Sequence, residues 1–242
     1  MQQHSAAVAL IRRATRLWRD EGMTSLLRHA SSFLAYILGR QFTFRRVFLY
    51  EHSLVPRDRS SFLPRLESWE LRVLHSNTDA DAVVAEGLED LRMSFIYATR
   101  SLNNGAIAFC VYVETKLVHV GWLAVDAQGK RAVDRMPFEV AFESGQACTG
   151  GTYTNPRYRG KGLMPYGYYE RFEYLRARGF TSSRNSVEVD NIASQKAHAR
   201  FDPTIYGLGR YRKVLWWHSW QVEQLPGGPR KGMPANFSGS YK

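Results

Sequence analysis

The chain has 242 residues, enough for one large domain or a compact domain with an appendage, at about 150 residues per domain. Hydrophobic residues make up 44% and charged residues 23%, an ordinary globular composition that excludes disorder over most of the chain. Thirty-three basic against 22 acidic side chains leave +11, and 26 of the basic residues are Arg, the side chain suited to bidentate contact with phosphate or carboxylate. Two cysteines, Cys110 and Cys148, cannot build a disulfide framework or a four-ligand zinc site, and they read as buried free thiols of a reducing cytoplasm. The seven histidines form no ligand-spaced pair, so no metal is expected.

Residues 1–50 hold eight arginines and two acids (Asp20, Glu21), which places +6 of the charge in the first fifth of the chain. The spacing predicts two helices here. Val8, Ile11, Thr15 and Trp18 share one face, and Leu26, Leu27, Ala30, Phe33, Leu34 and Ile37 restart the pattern after Gly22. No apolar run approaches the roughly 20 residues of a membrane span. Arg12 and Arg13 interrupt any signal-peptide core, so the chain reads as neither secreted nor transmembrane. A basic amphipathic helix with aromatic residues packs on its own domain or lies on an anionic surface.

Past Arg40 the pattern turns irregular, with an aromatic run from Phe42 to Tyr50, and Val55 to Pro64 reads as a linker. Trp69–His75 is expected as a strand and Thr78–Leu91 as a helix capped by Thr78 or Asp79. Ala106–Glu114 and Leu117–Val125 read as a hairpin turning at Thr115-Lys116, and Asp126–Lys130 as a polar turn. Gln146–Thr154 is a strand, Leu163–Arg178 a helix stopped by Gly179, Asn185–Val189 a strand and Asn191–Arg200 a helix. Tyr211–Val222 reads as a last, Trp-rich strand, and 226–242 as a loose tail. This order predicts a mixed α/β (α+β) fold: a mixed central sheet with flanking helices, plus the basic helical extension. The expected division is 1–65 extension and linker, 66–222 domain, and 223–242 tail.

The chemistry concentrates in Tyr153-Thr154-Asn155-Pro156-Arg157-Tyr158-Arg159-Gly160-Lys161-Gly162-Leu163, between a strand and a helix. A helix start leaves backbone amides without partners and carries partial positive charge, and glycines let that backbone approach a phosphate closely. Arg157-x-x-Gly160-x-Gly162 after a strand resembles the coenzyme A pyrophosphate loop of the GNAT (GCN5-related N-acetyltransferase) superfamily. The likeness continues through the strand Ser186–Val189 and Asn191-Ile192-Ala193-Ser194, and reaches back to Trp69–Leu74, covering about residues 66–222.

The resemblance implies acetyl-CoA, or another acyl-CoA, as donor. It implies a pair of parallel strands that splay where the thioester enters, with the acyl carbonyl bonded to the strand ending at Tyr153-Thr154. Amides from Tyr158 to Leu163 would hold the pyrophosphate, Arg157, Arg159 and Lys161 would add charge, and Asn191 would bond the pantetheine arm or cap its helix. Seven residues after the Asn, many members carry a Tyr that protonates the departing thiolate. Here that position is His198, and Tyr206 beyond the irregular Asp202-Pro203 exit is a second candidate. No general base stands out among Glu139, Glu143, Glu188 and His119. The leading expectation is acetyl transfer from acetyl-CoA to an amine (or hydroxyl) by direct attack on the thioester, in the cytoplasm or peripherally at the inner membrane surface. The alternatives are a longer-chain acyltransferase using acyl-CoA or acyl carrier protein on an envelope-glycan or lipid-linked acceptor, and a basic binding module. Residues 1–50 would suit an anionic membrane or an acidic carrier protein; nucleic acid is disfavoured, since no motif for it accompanies the charge.

Overall fold

The structure, a computed structural model, describes residues 42–95, 97–225 and 227–232. The two expected N-terminal helices, with most of the basic 1–50 segment, lie outside the described residues. The described chain falls into two units, one of residues 42–45 with Tyr211–Trp220, the other beginning at Arg46 and holding everything else.

The larger unit is built on strands β1 (Phe42–Ser53, from Arg46), β2 (Glu70–Leu74), β3 (Ile107–Val113), β4 (Lys116–Ala124), β5 (Gln146–Thr154), β6 (Ser182–Glu188) and β7 (Thr204–Val214, to Arg210), with the end of β8 (Trp217–Glu223) and β9 (Arg230–Lys231). Their order is β2-β3-β4-β5-β6-β1-β7-β8, with β9 on β7. β5 and β6 run parallel, while β2–β3, β3–β4, β4–β5 and β1–β6 are antiparallel. This is the mixed sheet that the resemblance implies.

The expected start of the domain at residue 66 is too late. β1 pairs with β6 from Val47↔Glu188 to Ser53↔Ser182, and Val47, Phe48, Leu49 and Tyr50 are buried. Aromatic and β-branched residues suit a pleated, packed surface, but the Arg45-Arg46 pair obscures the pattern and the paired residues lie 129 to 141 positions apart. The expected tail at 223–242 also begins too early, because Arg230 and Lys231 pair with Ile205 and Thr204; residue 226 and residues 233–242 lie outside the described residues.

Among the described residues six helices accompany the sheet: α1 (Asn77–Ala85), α2 (Leu91–Ser94), α3 (Ala98–Asn103), α4 (Ala127–Val133), α5 (Leu163–Arg176) and α6 (Ile192–Ala199). α1 is shorter than expected. Ser76, not Thr78 or Asp79, caps it by accepting from the Asp79 amide, and Gly87 at φ +87° ends the run before Leu91. The expected polar turn at Asp126–Lys130 is the start of α4, with Asp126 accepting from the Gly129 amide as N-cap. The expected single strand Tyr211–Val222 is instead parts of β7 and β8, joined at Leu215-Trp216, with Leu215 at φ +56°. In the smaller unit this turn leaves Trp216 86% exposed.

One sheet face buries Ile107, Phe109, Leu123 and Ala147 under Tyr168, Phe172 and Leu175 of α5. On the other face Trp122 lies near Tyr97, and Gly150 lies against Val133 at the end of α4. The expected linker Val55–Pro64 is mostly exposed, but Phe62 and Pro64 are buried. A short 3-10 turn, Arg59–Phe62, stacks Phe62 on Phe201 and Tyr169 at 4.7 and 5.3 Å between ring centres.

Candidate active site

Two features of the backbone create the site. The first is a split in the sheet. β5 and β6 are in register only at Gln146↔Ser182, Ala147↔Ser183 and Cys148↔Arg184. Beyond that point β5 follows β4 to Thr154 and β6 follows β1 to Glu188. The divergence begins beside a bulge, where the β4–β5 register shifts between Val120 and Trp122 and Gly151 takes φ +54°. A Cβ on Gly151 would stand 2.8 Å from the Trp122 ring, so both the backbone angle and the space require glycine there.

The second feature is the loop that follows β5. Asn155 accepts from the Arg157 amide and starts a 3-10 turn over Pro156–Tyr158. Gly160 and Gly162 both take positive φ, +76° and +84°, and α5 begins after Gly162 with no side-chain cap. Its first amides therefore have no partner within the helix and face the open end. Arg65 occupies the carbonyl side of the same loop, its amide donating to Lys161 O at 2.7 Å and its Nη2 to Gly160 O at 3.1 Å. With those carbonyls held by Arg65, ahead of β2, the Gly160–Leu163 amides are left in an arrangement that could serve as an anion cradle.

The cradle is narrower than expected. The Tyr158 and Arg159 amides donate to Asn155 O and Pro156 O, so they close the 3-10 turn instead of facing a ligand. Arg159 also folds back, its Nε donating to Thr154 O, while Arg157 and Lys161 stay exposed beside the cradle. Tyr153 is part-exposed with its ring edge-on to Phe95 at 5.1 Å, and the Thr154 hydroxyl meets His119 Nδ1 at 2.8 Å. Leu163 is buried beside Val111, Val118 and Tyr166 and anchors the helix start. Asn191 is a helix cap, its Oδ1 accepting from the Ser194 amide at 3.1 Å.

The two expected proton donors lie on opposite faces of the sheet. His198 is fully buried on the α5 face, its Nδ1 3.0 Å from His52 Nε2. Asn185 spans both rings, with Oδ1 3.1 Å from His52 and Nδ2 donating to His198 Nε2 at 3.3 Å. Tyr168 stands edge-on to His198 at 4.4 Å and Tyr50 stacks on it at 5.3 Å. Burial, with His52 and Arg171 adding unfavourable charge, holds His198 well below the ordinary imidazole range. It therefore sits as a neutral ring, without the imidazolium proton its expected role would use at neutral pH. Tyr206 is on strand β7, not on a returning loop, with the Arg184 guanidinium 4.6 Å above its ring. Its buried hydroxyl has no hydrogen-bond partner among the described residues, and burial raises its pKa.

Two residues that the sequence did not single out stand at the split. Arg171 of α5 is fully buried, with Nε donating to Gly167 O, Nη1 to Trp122 O at 3.0 Å and Gly150 O at 3.4 Å, and its guanidinium 3.9 Å from the Tyr168 ring centre. It ties the backbone of the bulge to the helix after the cradle. A Cβ on Gly121 would stand 2.6 Å from Arg171 Cζ, and this guanidinium is pinned by its acceptors. Gly121→Ala should therefore destabilise the chain by about 2 kcal/mol, in the range of overpacked cores, despite the lower unfolded-chain entropy of Ala. Thermal unfolding should show a Tm lower by roughly 4–8 °C; an unchanged Tm would mean that Arg171 swings clear.

Asp134 follows α4 on the other face. Its carboxylate accepts from Ser186 Oγ at 2.7 Å, the Ser186 amide at 3.2 Å and the Met136 amide at 2.8 Å. Burial pushes its pKa up despite these donors. Of the base candidates named from sequence, Glu139 and Glu143 are exposed, Glu188 ends β6, and His119 is buried against Thr154. Among the described residues no cluster of His, Cys, Asp or Glu could hold a metal ion, and no helix is long and apolar enough to cross a membrane.

No protein-family model matches the chain, and no curated protein matches it in sequence. Solved structures do. A GNAT-family acetyltransferase from Colwellia psychrerythraea is 16% identical over 83% of this chain and 61% of its own, with a TM-score of 0.42. A GCN5-related N-acetyltransferase-like protein from Streptococcus suis is 13% identical over 80% and 67%, also at 0.42. A tandem GNAT protein of clavulanic acid biosynthesis is 14% identical over 85% and 59%, at 0.43. The chain spans about three fifths of the length of the first structures it matches. Likenesses this distant identify no activity, and the functional reading rests on the chain's own geometry.

Proposed function

We propose that this chain, a mixed α/β fold of the GNAT type, is an acyl-CoA-dependent acyltransferase that passes an acetyl group to an amine. One observation carries the reading. The uncapped, glycine-led start of α5 and the split between β5 and β6 belong to the same strand–loop–helix–strand unit, so an anion cradle and an opening in the sheet are joined by one strand. A coenzyme A molecule has that form: a pyrophosphate, then an extended arm ending in the thioester. The Gly160–Leu163 amides would take the pyrophosphate, with Arg157 and Lys161 adding charge that long-range attraction can use. The arm would run along the opened edges of β5 and β6, and the acyl carbonyl would meet backbone donors near the bulge, where a developing oxyanion is stabilised without reorganisation.

The amine nitrogen attacks the carbonyl carbon, the C–N bond forms, and the C–S electron pair leaves on sulfur. No covalent enzyme intermediate is needed, and the burial that raises the Cys110 and Cys148 thiols leaves neither suited to act as a nucleophile. Acetyl-CoA and free CoA should each raise the Tm by several degrees, as a ligand bound only by the folded state does. Longer acyl-CoAs compared in the same assay would define the chain length. No shift with any of them, and no binding by calorimetry, would overturn the reading.

A further inference from the structure

Ser186 and Gly150 stand at matching places, each two residues past the last pair, Cys148↔Arg184, that holds β5 to β6. Asp134 touches both strands there. Its carboxylate takes the Ser186 hydroxyl and amide, and its Cβ lies 3.8 Å from where a Gly150 Cβ would be. A side chain at Gly150 would crowd Val133 as well, at 3.3 Å, so the bare backbone at Gly150 lets the Val133–Asp134 turn settle onto β5. The carboxylate thus lies in the opening on the face away from α5 and the buried His198.

We propose that Asp134 is the base that takes the proton from the acceptor amine, positioned by Ser186 in the divergence of the two strands. This rests on the acyltransferase reading. An amine that arrives as the ammonium ion cannot attack, because its lone pair is occupied. Asp134 removes that proton, becoming a carboxylic acid; the freed lone pair forms the C–N bond as the C–S bond breaks, and coenzyme A leaves as the thiolate. The nitrogen's second proton is lost to solvent water, which also protonates the thiolate, and Asp134 returns its proton to solvent.

The surroundings suit the task. Burial raises the affinity of the carboxylate for a proton, while three hydrogen-bond donors favour its charged form in part. Lys130 of α4 is the nearby cation, but its ammonium is committed to Met136 O and to the Phe138 ring, 4.2 Å away. The other titratable groups that feel Asp134 are Cys148 on β5, Tyr206 on β7 and Tyr168 on α5, all neutral at pH 7 because burial raises them.

The test uses the full chain, acetyl-CoA, and two small nucleophiles: benzylamine, an ammonium ion at pH 7, and hydroxylamine, largely unprotonated there. Asp134→Asn should lower acetyl transfer to benzylamine by about 10²-fold or more, the usual loss of a general base. Transfer to hydroxylamine should change much less, and acetyl-CoA affinity should stay within about twofold. Ser186→Ala, a milder change, should move the acidic limb of the benzylamine pH–rate profile upward, since the carboxylate loses a donor that favours its charged form. Equal losses with both nucleophiles, or an unmoved limb in Ser186→Ala, would overturn the assignment. So would a wild-type chain that binds acetyl-CoA yet acetylates neither nucleophile above the buffer rate. A wild-type chain that binds no coenzyme A overturns the acyltransferase reading itself.

Discussion

Gly160→Val should weaken coenzyme A binding at least about 100-fold while leaving the fold intact. Gly160 takes φ +76°, a left-handed conformation that a β-branched residue avoids, at a cost of about 1–2 kcal/mol or more. A Cβ at this position would meet no protein atom within 4 Å, so the core is not disturbed. The strain is instead relieved by turning the loop backbone, and that backbone is the binding group. Hydrogen bonds from amides to a charged phosphate are worth about 1.5–3 kcal/mol each, so misaligning two of them accounts for the loss. Gly162→Val would be less selective, because a Cβ there would already be in contact with Pro64 at 3.6 Å, and the added γ-methyl groups would press on the segment that carries Arg65. Calorimetry on Gly160→Val, with the Tm as a check on folding, decides the matter; unchanged affinity would remove the loop from the site.

Acid should unfold the chain unusually early. His52 and His119 are fully buried and pushed down to about 3, and His198 is held well below the ordinary range, in each case chiefly by loss of hydration. Arg171 adds repulsion to all three. The unfolded chain takes up these protons as the pH falls through about 6.5, whereas the folded chain does not until far lower, so stability drops as the pH falls below 6.5. Each histidine contributes a slope of about 1.4 kcal/mol per pH unit below pH 6.5, which for three sums to roughly 6 kcal/mol between pH 7 and pH 5. That is comparable to the whole stability of many domains. Asp134 opposes the trend, since its raised pKa favours the folded state on acidification, but it is one group against three. Urea unfolding at pH 7, 6 and 5 would measure the effect, and His119→Gln should reduce the slope by about one third. A stability that is flat across this range would mean that the three rings are hydrated.

Much of the arrangement was legible in residue order alone. Gln146–Thr154 has the bounds expected for it, and Leu163–Arg176 falls within two residues of expectation, because each is delimited by local chemistry. Polar residues and glycines punctuate their ends, and the helical period shows which face is buried. The left-handed backbone at Gly160 and Gly162 was likewise readable, since glycine takes positive φ at no steric cost. The losses came where a strand or a contact depends on distant chain. β1 is defined by pairing with β6, and its own arginines hid it. Val55–Pro64 looked like a linker because its few apolar residues only gain meaning against Tyr169, Phe201 and the loop carbonyls.

The sequence by itself determined the mixed α/β class, the strand–loop–helix unit and the paired glycines of its loop, features written in short local runs of residues. Only the tertiary structure decided which side chains reach the split. His198 keeps its helical spacing from Asn191, yet it is enclosed by Tyr50, His52 and Tyr168, drawn from two other elements. Asp134 occupies an undistinguished place in the sequence, and two of its three donors come from Ser186, 52 positions away. Hydrogen-bond geometry and proton affinity depend on neighbours in space; where pairing over such separations brings those neighbours together, the residue type at one position cannot report them.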